Sequence, residues 1–311
     1  MDAMWRNAVL GVITGDALGC PVQFKTREEI AQNPVTGMRG YGTFNLPAGS
    51  WTDDSSMTIA LLVSIRKMHG IDLDDVMKQF IRWLETGVYT PYCQSFDVGR
   101  TTLKAIRKYQ KEKKPLKCGL WDETSQSNGS LMRIMPACLY CIEQKMTDED
   151  ALRLIHQVGS LTHAHICCNI ACGLTYFMTK AILTGDGSLM SRLQSGLDCG
   201  FAWYESALSD HEFLHAYGRL RDLAQFAQLP AGKIQSSGYV VSTLEAALWS
   251  LITTDAFPDA LLKAVNLGLD TDTVAAVAGG LGGLYYGAEG IPQSWLDTLA
   301  RKDWIESLFE A

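Results

Sequence analysis

Several features that would settle a protein's class at once are missing or scarce here. No uninterrupted run reaches the ~18 apolar residues that a membrane helix needs. The most apolar stretch by eye, Val274 to Gly287, is rich in Gly and Ala and follows two Asp residues, so no membrane association is expected. Asp2, Arg6 and Asp16 leave too short an apolar run between them for a secretory leader. Basic charge is also in short supply: 27 Lys and Arg stand against 34 Asp and Glu, a net charge of -7. Bulk attraction for phosphate is thereby weak, and nucleic acid is not expected as a partner except as a modified substrate. Nine cysteines, an odd number with no paired spacing, read as reduced thiols in a cytoplasmic protein, not a disulfide framework. No Pro/Ser/Gly-rich linker divides the chain, and no repeat of fixed period is found.

Apolar residues at helical spacing are plentiful. Hydrophobic residues make up 47% of 311, and at this size about 75% of the unfolded surface can be buried. The spacing predicts helices over Ser56–Met68, Asp75–Leu84, Asp148–Val158, Leu244–Ile252 and Asp259–Val265, while strand-like alternation is rare. Thr147 followed by Asp148, Glu149 and Asp150 gives a start signal. So does Thr254-Asp255 ahead of a helix near Pro258. The expected fold is all-α, one compact multi-helix domain over residues 1–311. Gly11, Gly15 and Gly19 lie four apart, and Ala275 to Gly283 is similarly small. Each helical Gly costs about 1 kcal/mol against Ala, so both segments are expected to be closely packed central helices. A phosphate loop of the Gly-Lys-Ser/Thr type is absent. The basic run Lys108 to Lys117 reads as a solvated helix end.

Two acidic clusters carry the chemistry. Ser50-Trp51-Thr52-Asp53-Asp54-Ser55 precedes one apolar helix, and Gly268-Leu269-Asp270-Thr271-Asp272-Thr273 precedes another. Either alone reads as helix capping, for which Asp and Thr are favoured. A cap needs one oxygen, however, and each cluster offers several. Were the clusters to meet, each like-charged pair at ~4 Å would cost about 4 kcal/mol at an effective dielectric of ~20. Hard oxygen donors of this kind suit Mg²⁺ or Mn²⁺, not zinc. His163 and His165 near Cys167, Cys168 and Cys172 match no tetrahedral zinc spacing. Cys138-x-x-Cys141 lacks the βαβ context of a redox motif and reads as helix packing.

At these residues the chain resembles the ADP-ribosylglycohydrolase family. Gly15-Asp16-Ala17-Leu18-Gly19-x-Pro21 is similar to its N-terminal motif and Trp51-Thr52-Asp53-Asp54-x-x-Met57 to its first metal motif. Asn128-Gly129-Ser130-x-Met132-Arg133-x-x-Pro136 resembles its phosphate-binding loop, and Thr162-His163-x-His165 a family His motif. Ser237-Gly238-Tyr239-Val240 resembles a loop beside the ligand, and Asn266-Leu267-Gly268-x-Asp270-Thr271-Asp272-Thr273 the second metal motif. Each is a weak signal; six in family order are strong.

The resemblance implies an all-α fold with a central cleft holding two Mg²⁺ or Mn²⁺ ions, their shell formed by Thr52, Asp53, Asp54, Asp270, Asp272 and Thr273. It implies ADP-ribose in the cleft, met by Asn128, Gly129, Ser130, Met132, His163, Gly238 and Tyr239, with its diphosphate on the Asn128 loop. Asp53 and Asp54 are the expected catalytic groups, orienting a water or accepting its proton. The expected activity is metal-dependent hydrolysis of the bond between ADP-ribose and a modified protein, arginine-linked by first choice, in a monomer. One departure stands out. Gln23, two residues after Pro21, occupies a position that is often acidic in the family, and Gln cannot accept a proton at neutral pH. Glu28 or Glu29 could substitute spatially. The alternatives left open are a weakened ADP-ribose-binding relative and a hydrolase of Ser- or nucleic-acid-linked ADP-ribose. A phosphohydrolase attacking the diphosphate and a Cys-dependent hydrolase are further rivals, each with little in the sequence behind it.

Overall fold

A computed structural model describes residues 2–209 and 211–310; positions 1, 210 and 311 of the expected domain lie outside the described residues. Helices follow one another along the chain. The first third holds α1 (Asp2–Gly19), α2 (Arg27–Gln32), α3 (Asp53–Met68), α4 (Leu73–Thr86) and α5 (Arg100–Glu112). Next come α6 (Met135–Glu143), α7 (Asp148–Gly159), α8 (Ile166–Thr184), α9 (Leu189–Ala207), α10 (Glu212–His215) and α11 (Leu223–Ala227). The chain ends with α12 (Val240–Ile252), α13 (Phe257–Val265), α14 (Thr271–Tyr286), α15 (Gln293–Thr298) and α16 (Lys302–Ser307). Among the described residues there is no strand, only two isolated bridges, Leu120 with His163 and Ser127 with Tyr239. The all-α expectation holds, and the five sequence-read helices are present, each extended at one or both ends.

Local chemistry explains the boundaries. Thr147 and Asp72 accept hydrogen bonds from Asp150 and Asp75 backbone N–H groups and so cap α7 and α4. Thr26 and Glu29 form a reciprocal capping box on α2. Gly87 closes α4 with φ +62°, a left-handed turn that suits Gly. The basic run ends α5 and continues into a 3-10 turn at Pro115–Lys117, with Lys111 to Lys114 exposed.

The pairing of α1 with α14 positions the functional cleft. The helices run antiparallel, small face on small face. A methyl group added at Gly11 would overlap the Gly279 carbonyl, and one at Gly15 the Ala275 carbonyl. At the far end Gly19 lies against the backbone of Asp272, and Thr271 Oγ1 donates to the Gly19 carbonyl at 2.8 Å. Side chains at these positions would push the helices apart, so the small residues bring the end of α1, with Gln23 just beyond it, up to the acidic start of α14. The expectation of two closely packed central helices is met.

One sequence reading needs correction. Helix α8, 19 residues with mean hydropathy 1.5, is long and apolar enough to cross a membrane by length and composition. The run test missed it because Asn169, Thr175, Thr179 and Lys180 interrupt an otherwise apolar segment. In the fold, 72% of its apolar window is buried inside the protein, where it packs against α7, α9 and α6.

Candidate active site

The two acidic clusters converge. The Thr52 hydroxyl lies 3.3 Å from Asp54 Oδ2 and 3.4 Å from Asp272 Oδ2, bridging segments 220 residues apart. Thr52 is the N-cap of α3, its side chain receiving the Asp54 N–H. Asp270, at the N-cap position of α14, makes no capping bond with its side chain. Capping therefore accounts for Thr52 but not for the carboxylates. Behind them, Asp16 on α1 accepts from Thr52 N at 2.9 Å, Ser55 N at 2.9 Å and Ser55 Oγ at 2.6 Å. It holds the start of α3 against α1.

These groups floor a cleft of about 300 Å³. Asp53, Asp54, Asp270 and Thr273 line it on the acidic side, with Gln23, Phe24 and Asp97. Asn128, Gly129, Met132, His163, Ser127 and Gly238 line the other side. Asn128 joins the halves, its Nδ2 donating to Asp270 Oδ2 at 2.6 Å and to Thr243 Oγ1 at 2.8 Å. The Asn128 N–H donates to the Gly238 carbonyl at 3.1 Å and the Val240 N–H to the Gln126 carbonyl at 3.0 Å, locking the two loops together. Thr52 and Asp272 sit beneath the cleft floor, fully buried.

Two expected contacts lie elsewhere. Ser130 turns its hydroxyl away from the cleft to the Cys172 thiol, 3.6 Å away. The Tyr239 hydroxyl lies 3.7 Å from the Cys167 thiol, and its ring does not line the cavity. Neither Glu28 nor Glu29 replaces an acid at position 23: Glu29 is held in the α2 capping box and both are exposed. His165 caps α8 by accepting the Cys167 N–H. Cys138 and Cys141 are buried free thiols on α6, as expected for packing.

Sequence reading missed Asp97. It lies in an irregular segment ahead of α5, at φ +53°, a left-handed conformation that Asp tolerates better than most residues. The Gln23 side chain lies beside the Asp97 carboxylate and that of Asp270 and favours the charged form of both. The Gln23 Oε1 is buried without a hydrogen-bond partner among the described residues. Gln at this position adds donors where Glu would add another negative charge.

The electrostatics follow from this crowding. Burial first, then Asp97, Asp54 and Asp16, raise Asp53 well above the usual carboxylate range. Burial followed by Asp16 and Asp270 does the same to Asp54, and burial followed by Asp270 and Asp54 to Asp272. Burial raises Asp16 to about 6 against the hydrogen bonds that favour its charged form. Arg100, exposed at the rim, is the one Lys or Arg among the residues lining the cleft. Asp54 Oδ1 and Asp272 Oδ1 are buried with no hydrogen-bond partner. Unpaired hard oxygens and uncompensated charge are what a divalent cation would satisfy, so the donor set fits one. Among the described residues, no three His, Cys, Asp or Glu side chains already stand arranged to hold a metal ion. Any ion would have to draw carboxylates, hydroxyls and water around itself.

Fold and cleft together define an all-helical protein with an acid-lined site opposite a loop of neutral donors. The sequence profile of the ADP-ribosylglycohydrolase family matches residues 4–311. The chain belongs to that family and is a hydrolase of ADP-ribosyl linkages. It is 30% identical over 309 residues to the ADP-ribosylarginine hydrolase Tri1 of Serratia proteamaculans, covering 98% of this chain and 77% of the relative. It is 31% identical over 298 residues to the ADP-ribosyl-[dinitrogen reductase] glycohydrolase of Rhodospirillum rubrum, covering 95% and 90%. A solved structure described as an ADP-ribosylglycohydrolase-related protein complex superposes with a TM-score of 0.77 at 29% identity, covering 99% of this chain and 96% of that one.

Proposed function

We propose that the protein removes ADP-ribose from arginine side chains of modified proteins, in a reaction that needs two divalent cations, Mg²⁺ or Mn²⁺. The observation that carries this is the meeting of Asp54 and Asp272 at the Thr52 hydroxyl, beneath a cleft that faces the Asn128 loop. Two relatives that this chain matches over most of their length are named for arginine-linked or dinitrogen-reductase-linked ADP-ribose. Thr52, Asp53, Asp54, Asp270, Asp272 and Thr273 would hold the ions. When bound, these would offset the carboxylate charge and supply Lewis acidity toward ribose hydroxyls and a water.

The chain's own residues divide the remaining work. Gly129 and Gly238 let backbone approach the diphosphate closely, and Asn128 fixes the loop to Asp270. Asp97, half-buried and outside the ion set, accepts the proton of the attacking water. The water oxygen bonds to the anomeric carbon as the carbon–nitrogen bond breaks, and the proton passes on to the leaving guanidine. Neighbouring carboxylates stabilise the positive charge that develops on the sugar. Phe24 and Phe96 flank Gln23 and Asp97 in sequence, and their rings both pack on Phe44 (centroids 6.3 and 5.2 Å). Aromatic rings beside acids suit a guanidinium cation, which is attracted to their faces. Because Asp97 supplies an acid where Gln23 does not, the reading of a catalytically weakened relative loses its motive. Nine unpaired cysteines fit a reducing compartment, the cytoplasm.

The test is incubation with arginine-, serine- and nucleic-acid-linked ADP-ribose, with and without EDTA, followed by product mass. Release of intact ADP-ribose from arginine, abolished by EDTA and by Asp270→Ala, is expected. AMP as product, or full activity in EDTA, would refute the proposal.

A further inference from the structure

Arg133 is fully buried, its guanidinium 4.7 Å from the centre of the Phe80 ring, and no carboxylate among the described residues pairs with it. Its Nε has no partner. Its other nitrogens donate to the Val158 carbonyl at 3.3 and 3.4 Å and to Thr162 Oγ1 at 2.8 Å. An unpaired buried cation is expensive to maintain, so its surroundings should show what it is for.

The hydrogen bonds lead from it to the cleft. Thr162 Oγ1 lies 2.8 Å from His163 Nδ1, and His163 Nε2 lies 2.9 Å from Ser127 Oγ. Arginine can only donate. The Thr162 oxygen accepts from Arg133, and His163 Nδ1 is the one acceptor within reach of its hydroxyl proton among the described residues, so that proton goes to Nδ1. That leaves the ring proton on Nε2, pointing at Ser127 Oγ. Ser127 accepts it, and its own hydroxyl hydrogen has no other acceptor among the described residues. Ser127 lines the cleft beside Asn128 and Gly129. The same ring explains Gly129, where a methyl group would fall 2.6 Å from His163 Cε1.

We propose that Arg133, Thr162 and His163 form a directional chain that presents the Ser127 hydroxyl as a donor to an anionic ligand group, the diphosphate on the reading above. Arg133 is the positioning residue, Ser127 the contact, and the buried charge polarises each bond toward the cleft. Burial, with Arg133 next, lowers His163 to about 3, so the ring stays neutral at working pH and keeps one fixed tautomer.

Nitrogen-15 NMR of histidine-labelled full-length protein, without ligand, reads that tautomer directly. Protonation of His163 on Nε2 from pH 5 to 8 is expected, with the preference lost in Thr162→Val. A native ring protonated on Nδ1 would overturn the chain. Calorimetry with ADP-ribose and with inorganic pyrophosphate tests its end. Ser127→Ala should weaken both by about ten-fold or more, the range of a charge-assisted hydrogen bond, without changing the tautomer. Unchanged affinity for both would overturn the donor role. A wild type that binds pyrophosphate but not ADP-ribose would keep this inference and refute the proposed function.

Discussion

Replacing Asp54 with Asn tests whether the cleft carboxylates are held together against their own repulsion. The change keeps shape and removes charge. Because Thr52 Oγ1 is 3.3 Å from Asp54 Oδ2 and 3.4 Å from Asp272 Oδ2, those two oxygens are no more than about 6.7 Å apart. At an effective dielectric of ~20 this pair alone repels by at least about 2.5 kcal/mol. Without metal at pH 8, Asp54→Asn should therefore be the more stable protein. At about 2 °C per kcal/mol for a chain of this size, its melting temperature should lie about 5 °C or more above wild type. The pH dependence has a definite sign. Burial, followed by the neighbouring acids, raises Asp54 in the folded state. Folded protein then binds more protons than unfolded, and metal-free wild type loses stability as pH climbs from ~4 through the raised value. Below about pH 4 the carboxyl is protonated in both states and the advantage of the Asn variant vanishes. Saturating Mg²⁺ reverses the order: wild type gains about 2.7 kcal/mol per site at a hundred times the dissociation constant, and the variant gains less. Thermal melts in EDTA and in Mg²⁺ from pH 4 to 8 decide the matter. A variant less stable than wild type in EDTA at pH 8, or an equal gain from Mg²⁺ in both, would refute the reasoning.

Three other substitutions probe separate parts of the argument. Gly15→Ala places a methyl group onto the Ala275 carbonyl. It should destabilise by about 1–3 kcal/mol or more in urea melts and depress turnover with it, because the start of α14 moves; an unchanged midpoint would mean the helices are not in tight contact. Gln23→Glu adds another acid beside Asp97 and Asp270, and should lower the EDTA melting temperature while leaving the Mg²⁺-loaded protein closer to wild type. Phe24→Leu, at an exposed position, should leave ADP-ribose affinity alone and reduce kcat/KM on an arginine-linked substrate by about two- to five-fold, the range of an exposed cation–π contact. Equal kinetics for the two proteins would remove Phe24 from acceptor recognition.

The sequence made the helices legible because their apolar spacing and caps are local. It made the two acidic clusters legible because each is a run of neighbouring oxygen donors. Their meeting was not readable from spacing; it depends on the small faces of α1 and α14, where Gly19 lies against Asp272. That contact is long-range, yet its signal was present in the four-residue spacing of Gly11, Gly15 and Gly19. Asp97 left no comparable trace. A single Asp in an irregular segment is ordinary in any sequence, and only the folded chain shows it beside Gln23 and Asp270. The side chains of Glu28, Glu29, Ser130 and Tyr239 lie away from the cleft for a shared reason: proximity in sequence to a motif does not fix the direction of a side chain. Glu29 is committed to its own helix cap, and Ser130 faces the core.

The same logic bears on Gln23. Read alone, it is a missing acid and an argument for lost activity. In the fold it lies beside two carboxylates, and a further negative charge at that point would join Asp16, Asp53, Asp54, Asp97, Asp270 and Asp272 in a site with one cation at its rim. A cleft with that many acids gains more from a neutral donor than from another base. The acid is supplied instead by Asp97, at a backbone position where φ is +53°. On the proposed function the catalytic requirement is met by a different part of the chain. If that is right, Asp97→Asn should abolish turnover while sparing ADP-ribose affinity, whereas Gln23→Glu in the same background should not restore it. Restoration would show that position 23, not 97, carries the proton.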